Sequence, residues 1–208
     1  MLSRATRAIG AFAGFLGVAA CSVFGGAAAP EPEYSLVRAD PPFELRDYGA
    51  LVVATTPMND GSGAAFGRLF DYISGENAGA RDIAMTAPVL DTEGAGGAEI
   101  EMTAPVLQGR EGAREMVFVL PEDMTLQTAP VPTDAQVSLA TIPPRRVAVV
   151  RYSGFLSRRA AAEEARLRDW IAREGLTPAG PAEIAGYNPP WTLPPFRRNE
   201  VLIPVERD

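Results

Sequence analysis

The stretch FELRDYGALVVATTPMNDGSGAAFGRLFDYISG, residues 43–75, decides the fold class. From Phe43 to Thr56 its residues alternate in polarity around an apolar Leu51-Val52-Val53 centre, which predicts a strand, or two strands interrupted at Gly49. Asn59-Asp60-Gly61-Ser62-Gly63 is a loop able to cap a helix on its C-terminal side. Phe66, Leu69, Phe70 and Ile73 then recur at i, i+3, i+4 and i+7, the spacing of one helical face. Gly75 stands where such a helix stops.

The same order returns about a hundred residues later. Arg145–Tyr152 (RRVAVVRY) reads as a strand, and Ser157 as the N-cap of a helix running to Glu174. Leu167, Trp170 and Ile171 form its inner face, while Glu164/Arg168 and Asp169/Arg173 are i,i+4 pairs on the wet side. Gly175 and Pro178 end it. Between the halves IAMTAPVL (83–90) recurs as IEMTAPVL (100–107), which suits two strands joined by an exposed acidic loop, with each proline at a strand edge. MVFVL (116–120), Val137–Ile142 and Glu200–Val205 add further strands. The reading is an α+β domain made by duplication, mostly antiparallel sheet with two amphipathic helices.

Composition narrows the function. The 208 residues are 47% hydrophobic and 22% charged, an ordinary globular balance for a single domain. All 19 basic residues are arginine, and with 26 acidic residues the net charge is −7. An acidic chain is a poor binder of polyanions, so nucleic acid is not an expected partner. The absence of histidine excludes a Ser-His-Asp triad, a Cys-His pair and a histidine-ligated haem. A single cysteine excludes an internal disulfide.

That cysteine follows an apolar run. Arg4 and Arg7 precede Ala8–Ala20, a run of signal-peptide length that is too short to span a bilayer. Val18-Ala19-Ala20-Cys21 resembles the lipobox of bacterial lipoproteins. The resemblance implies a signal peptide over 1–20, diacylglycerol on the Cys21 sulfur and acylation, by palmitate among others, of the new amino terminus. Losing Arg4 and Arg7 would take the charge to 17 − 26 = −9. Ser22, in place of an aspartate, implies a membrane-anchored lipoprotein of the outer membrane facing the periplasm. Residues 21–40 read as a flexible tether and 41–206 as the domain.

Five stretches carry a second resemblance: GAAFGRLFDYISGEN (63–77), the two IxMTAPV copies, MVFVLP (116–121), RRVAVVRYSG (145–154) and YNPPWTLPPFRRNEVLIPV (187–205). In this order they resemble the SOUL haem-binding family over essentially all of residues 41–206. The resemblance implies a distorted, mostly antiparallel β-barrel of two pseudo-symmetric halves with one helix each. It also implies non-covalent binding of haem or a related tetrapyrrole, without known catalysis, in a shallow apolar cleft between the first helix and the loop before the last strand. Carried onto this chain, Phe66, Leu69, Phe70 and Ile73 line the helix side and Trp191, Leu193 and Phe196 the loop side. Arg68, Arg197 and Arg198 are the cations for propionates. With no histidine, any protein ligand to iron is a tyrosine, Tyr72 or Tyr187 being best placed, or a methionine such as Met85 or Met102.

The same residues admit plainer roles. The helix positions also suit core packing, and Arg197-Arg198-Asn199-Glu200 also suits internal salt bridging. Effector-binding domains of bacterial regulators resemble this family's fold, so another hydrophobic small molecule is the alternative ligand, and a hydrolase a more distant one.

Replacing the cysteine tests the amino-terminal reading. Cys21→Ser should leave a soluble or unprocessed precursor, and metabolic labelling with palmitate should mark the parent chain and not the variant.

Overall fold

In a computed structural model of the chain, which describes residues 31–78, 83, 89–92, 114–188 and 191–207, nine strands pair into one antiparallel sheet. In chain order they are β1 (Tyr34–Asp40), β2 (Phe43–Tyr48), β3 (Leu51–Pro57), β4 (Val89–Thr92), β5 (Glu115–Val119), β6 (Ser138–Ile142), β7 (Arg145–Tyr152), β8 (Glu183–Gly186) and β9 (Asn199–Val205). Helix α1 (Ser62–Ile73) follows β3, and α2 (Leu156–Arg173) follows β7. The sheet curls into a distorted half-barrel with two helices, the α+β class expected.

The spatial order β1-β2-β7-β9-β8-β4-β5-β3-β6 shows what duplication produced. Each half runs strand, strand, helix, strand, strand. Within each, the second strand pairs with the fourth and the fourth with the third: β3–β5–β4 and β7–β9–β8. The first strand of each half crosses to the other, β2 onto β7 and β6 onto β3. The β4–β8 pair joins the halves at the centre. Neither half is complete without the other.

Alternation along the strands sorts side chains onto two faces. On the outer face, Leu167, Trp170 and Ile171 of α2 pack on Phe43, Leu45, Ala148, Val150, Val201 and Ile203. Leu69, Tyr72 and Ile73 of α1 pack on Ala54, Met116 and Phe118 of that same face. The inner face holds Val53, Leu90, Val117, Val147, Val149 and Leu202.

Several sequence expectations are refined. Gly49 does divide the first strand, leaving β2 and β3 on either side. Tyr34–Asp40, expected as the end of a tether, is β1, paired along β2. Its side chains are exposed throughout, so it has no apolar period that could announce a strand. Helix α2 takes Phe155 rather than Ser157 as N-cap, because Gly154, at φ 112°, turns the chain two residues earlier. The Glu164–Arg168 pair forms, whereas Asp169 and Arg173 make no ion pair among the described residues. The four-residue β8 has no sequence signal of its own, since EIAG is short and lacks a β-branched run. Of the IAMTAPVL repeat, Val89 and Leu90 open β4. The second copy, Met85, Met102, Cys21 and the residues before it lie outside the described residues.

Charges are also buried on the inner face. Glu200 is wholly buried, and its carboxylate accepts hydrogen bonds from Arg46 Nη1 and Nη2 at 2.9 and 3.1 Å. Arg198 Nε and Nη2 donate to the same carboxylate at 3.0 and 2.8 Å, and the Tyr187 hydroxyl at 2.5 Å. Arg46 also donates to Glu44 and to the Tyr48 hydroxyl. Burial alone would raise the Glu200 pKa, but the hydrogen bonds and charge of Arg46 and the charge of Arg198 outweigh it and hold the group below its ordinary 4.5.

The network should show in stability. Arg46→Met strips the buried Glu200 of one of its cations and should cost about 3–5 kcal/mol in urea unfolding. The depressed Glu200 pKa contributes stability that is fully present above pH 4.5 and is lost as pH falls towards the folded-state value. On the alkaline side burial raises Tyr187 and Tyr72 above 10.0, so their contribution is lost as pH rises past that value. Unfolding midpoints measured against pH should therefore fall on both sides, and Glu200→Gln should flatten the acid limb.

Candidate functional site

Both helices lie on the outer face, α1 over β3 and β5 and α2 over β7, β8 and β9. Between them the outer face follows one row of the ladder. Phe118 pairs with Val89, Val89 with Gly186, and Gly186 with Asn199. Three strand spacings make this row about 14 Å long. Val89, Ile184 and Gly186 are half-buried; Val89 packs against the α1 cluster, and the Leu156 side chain of α2 lies over Gly186.

One flank of this row is aromatic and comes from α1. Phe66 stacks on Phe70, ring centroids 5.9 Å apart, and sets its edge on Phe118 at 5.4 Å. Phe70 is exposed. Leu69 and Ile73 are not on this wall. They turn under the helix into the core with Ala54, Phe118 and Leu120, because the helical face that the spacing marks is the one the sheet covers.

The other flank is a ledge built from two loops. Trp191, Leu193 and Phe196 of the β8–β9 connection are exposed, Trp191 at 67%. Phe155, from the β7–α2 connection, joins them. The Gly154 amide donates to Pro194 O at 3.0 Å, and Asn199 Nδ2 donates to Gly154 O at 3.0 Å, tying the two loops together. Arg197 Nε donates to Thr192 O at 2.7 Å, and its guanidinium lies 5.7 Å from the Phe155 ring centre. Arg158, 4.5 Å from the same centre, is a ledge residue that spacing and resemblance do not mark. Phe155 is another. Their only sequence signal is an aromatic directly after a glycine with an arginine three residues on, which becomes meaningful once Gly154 is seen against Pro194.

The remaining predicted residues are committed elsewhere. Arg68 holds Asp60 with two nitrogens and also donates to Thr56 Oγ1 and Pro57 O. Arg198 points to the inner face, the opposite side from Arg197, where it donates to Glu31 and Glu200 and lies 4.0 Å over the Tyr187 ring. Tyr72 donates to Pro130 O at 2.9 Å, and Tyr187 to Glu200. Burial raises both phenol pKa values, with the Glu200 charge adding to the effect at Tyr187, so neither is poised to become a tyrosinate ligand. Among the described residues no three Cys, Asp or Glu side chains gather to hold a metal ion.

A cavity of about 370 Å³ lies elsewhere, lined by Tyr34, Leu51, Leu120 and Met124 and by the carboxylates of Glu33, Asp47 and Glu122. Its walls carry the wrong charge for an acidic ligand.

Chains with this arrangement of two helices on a curled antiparallel sheet form a recognisable structural class. The C-terminal domain of EcmrR shares it at 11% identity and a TM-score of 0.55, over 84% of this chain and 99% of that one. EcmrR in its DNA complex shares it at 13% and 0.56, over 80% of this chain and 57% of that one. A hydrolase from Listeria innocua does so at 10% and 0.52, over 86% and 94%. At such identities the likeness is of fold alone. No curated protein matches the sequence. The family described as "SOUL heme-binding protein" matches residues 29–204, and the chain belongs to that family. The match begins ahead of β1, in keeping with that strand's place in the sheet.

Proposed function

We propose that the domain binds haem or a related tetrapyrrole non-covalently in a trough between α1 and the ledge. We further propose that it does so as a carrier or buffer at the cell envelope, held there by a lipidated Cys21. The observation that carries the binding reading is a pair of apolar groups at the two ends of one ladder row, Phe66–Phe70 anchored on Phe118 and Phe155–Trp191–Leu193–Phe196 tied through Gly154 to Asn199. A flat apolar ring system suits aromatic groups of this kind. Its carboxylates would meet Arg197 and Arg158, where a guanidinium can grip both oxygens.

The residues fit the macrocycle better than they fit its metal. The chain lacks histidine, and the best-placed tyrosine hydroxyls are hydrogen-bonded inside the core. A tetrapyrrole held by its faces and its carboxylates is the reading these residues support, with the iron left to solvent. The described property of the family is haem binding.

Trp191 gives a direct test. Stacking and burial of an indole contribute roughly 1–3 kcal/mol. At ~1.4 kcal/mol per decade, Trp191→Ala should weaken hemin binding roughly ten- to a hundredfold with little change in thermal melting. Unchanged hemin affinity in that variant would place the ligand elsewhere. In an untagged, imidazole-free preparation the hemin complex should be high-spin, and Tyr72→Phe and Tyr187→Phe should leave its spectrum unchanged. A low-spin spectrum in the parent chain would count against a face-held porphyrin.

A further inference from the structure

We infer, on the proposed anchor at Cys21, that the ledge is also a docking surface for the bilayer. Phe155, Trp191, Leu193 and Phe196 enter the interfacial layer while Arg158 and Arg197 meet lipid phosphates. The trough thereby opens sideways onto the membrane, the phase in which an apolar tetrapyrrole dissolves.

The first ground is the ledge itself. Four large apolar side chains project from two loops whose backbones are tied together by Gly154, Pro194 and Asn199. A patch held this firmly in water is unfavourable unless something apolar meets it. Aromatic rings rimmed by arginine are suited to the interfacial layer, where the ring is half-immersed and the cation reaches the phosphates.

The second ground is where the amino-terminal segment meets the domain. Arg198 Nη1 donates to both carboxylate oxygens of Glu31, at 2.7 and 2.9 Å. Arg198 directly follows Arg197 and Phe196 of the ledge. The chain therefore reaches the end of β9 from which the ledge springs, on the opposite face of the sheet from Arg197, and the ten residues from Cys21 to Glu31 span at most about 35 Å. A lipid on Cys21 keeps this end of the domain within reach of the bilayer.

The third ground is charge. The chain carries a net −7, which anionic lipid would repel over most of the surface. At the ledge two cations gather. Arg158 and Arg197 both lie over Phe155, and Arg158 has no carboxylate partner among the described residues.

One cysteine and two tryptophans make the test specific. The chain from Cys21 onward contains every described residue. It can be coupled through the Cys21 thiol to maleimide-lipid in vesicles of phosphatidylcholine and phosphatidylglycerol with brominated acyl chains. Trp191 should then lose most of its emission, while Trp170, 1% exposed on the buried face of α2, should stay bright. Trp191→Phe should remove the quenchable component. Leu193→Glu combined with Phe196→Glu should restore Trp191 emission without moving the melting transition. Unquenched Trp191 in the coupled parent chain, as open to aqueous iodide as in the uncoupled chain, would overturn the docking. The native anchor is read separately, from the mass of the amino-terminal peptide in the source cell. An acylated Cys21 supports the setting proposed, and an unmodified Cys21 overturns the anchor and the docking with it.

Discussion

The buried carboxylate of Glu200 holds the inner face together. It lies on β9 and gathers Arg46 of β2, Arg198 at the entry to β9 and the Tyr187 hydroxyl. A charge this deep is tolerable only when its lone pairs are filled and its sign is matched, so each partner depends on the others being in place. Through Arg46 the network locks β2, the strand that the first half lends to the second. Through Arg198 and Tyr187 it sets the chain that leads into β9. The face on which Arg197 emerges is thereby decided as well, since neighbouring residues in extended chain point to opposite sides.

The outer face depends on that arrangement. With β2 and β6 exchanged between halves, α1 lies over β3 and β5 and α2 over β7, β8 and β9, and β4 runs between them. The proposed trough follows β4 on that outer face. Its flanks are aromatic for separate reasons. Phe66 and Phe70 stand at the edge of the α1 packing stripe, where the sheet cannot cover both. Phe155, Trp191, Leu193 and Phe196 come from connections whose backbones are satisfied by one another, which frees the side chains to face outward.

How far the site was legible depended on which contact each residue makes. Spacing picked out Phe66, Leu69, Phe70 and Ile73 as one stripe, yet a stripe is wider than the strip of sheet it covers, and only burial separates Leu69 and Ile73 from Phe66 and Phe70. Family resemblance brought Arg68, Arg197 and Arg198 forward together. The fold divides them, because Asp60 claims the first and Glu200 with Glu31 the third. Arg158 could not be picked out among so many arginines until Phe155 was seen beneath it.

Local sequence was enough to establish the class of fold, the order of most of its elements and the absence of a histidine site. These rest on periodicity, on glycine at helix ends and on composition, which need no distant partner to be read. The exchange of first strands, the recruitment of Tyr34–Asp40 as β1 and the placing of Arg197 and Arg198 on opposite faces came only with the assembled sheet. Strand pairing is set by which edges meet after the chain has folded back, across separations such as the 154 residues between Arg46 and Glu200, and no local pattern records that choice.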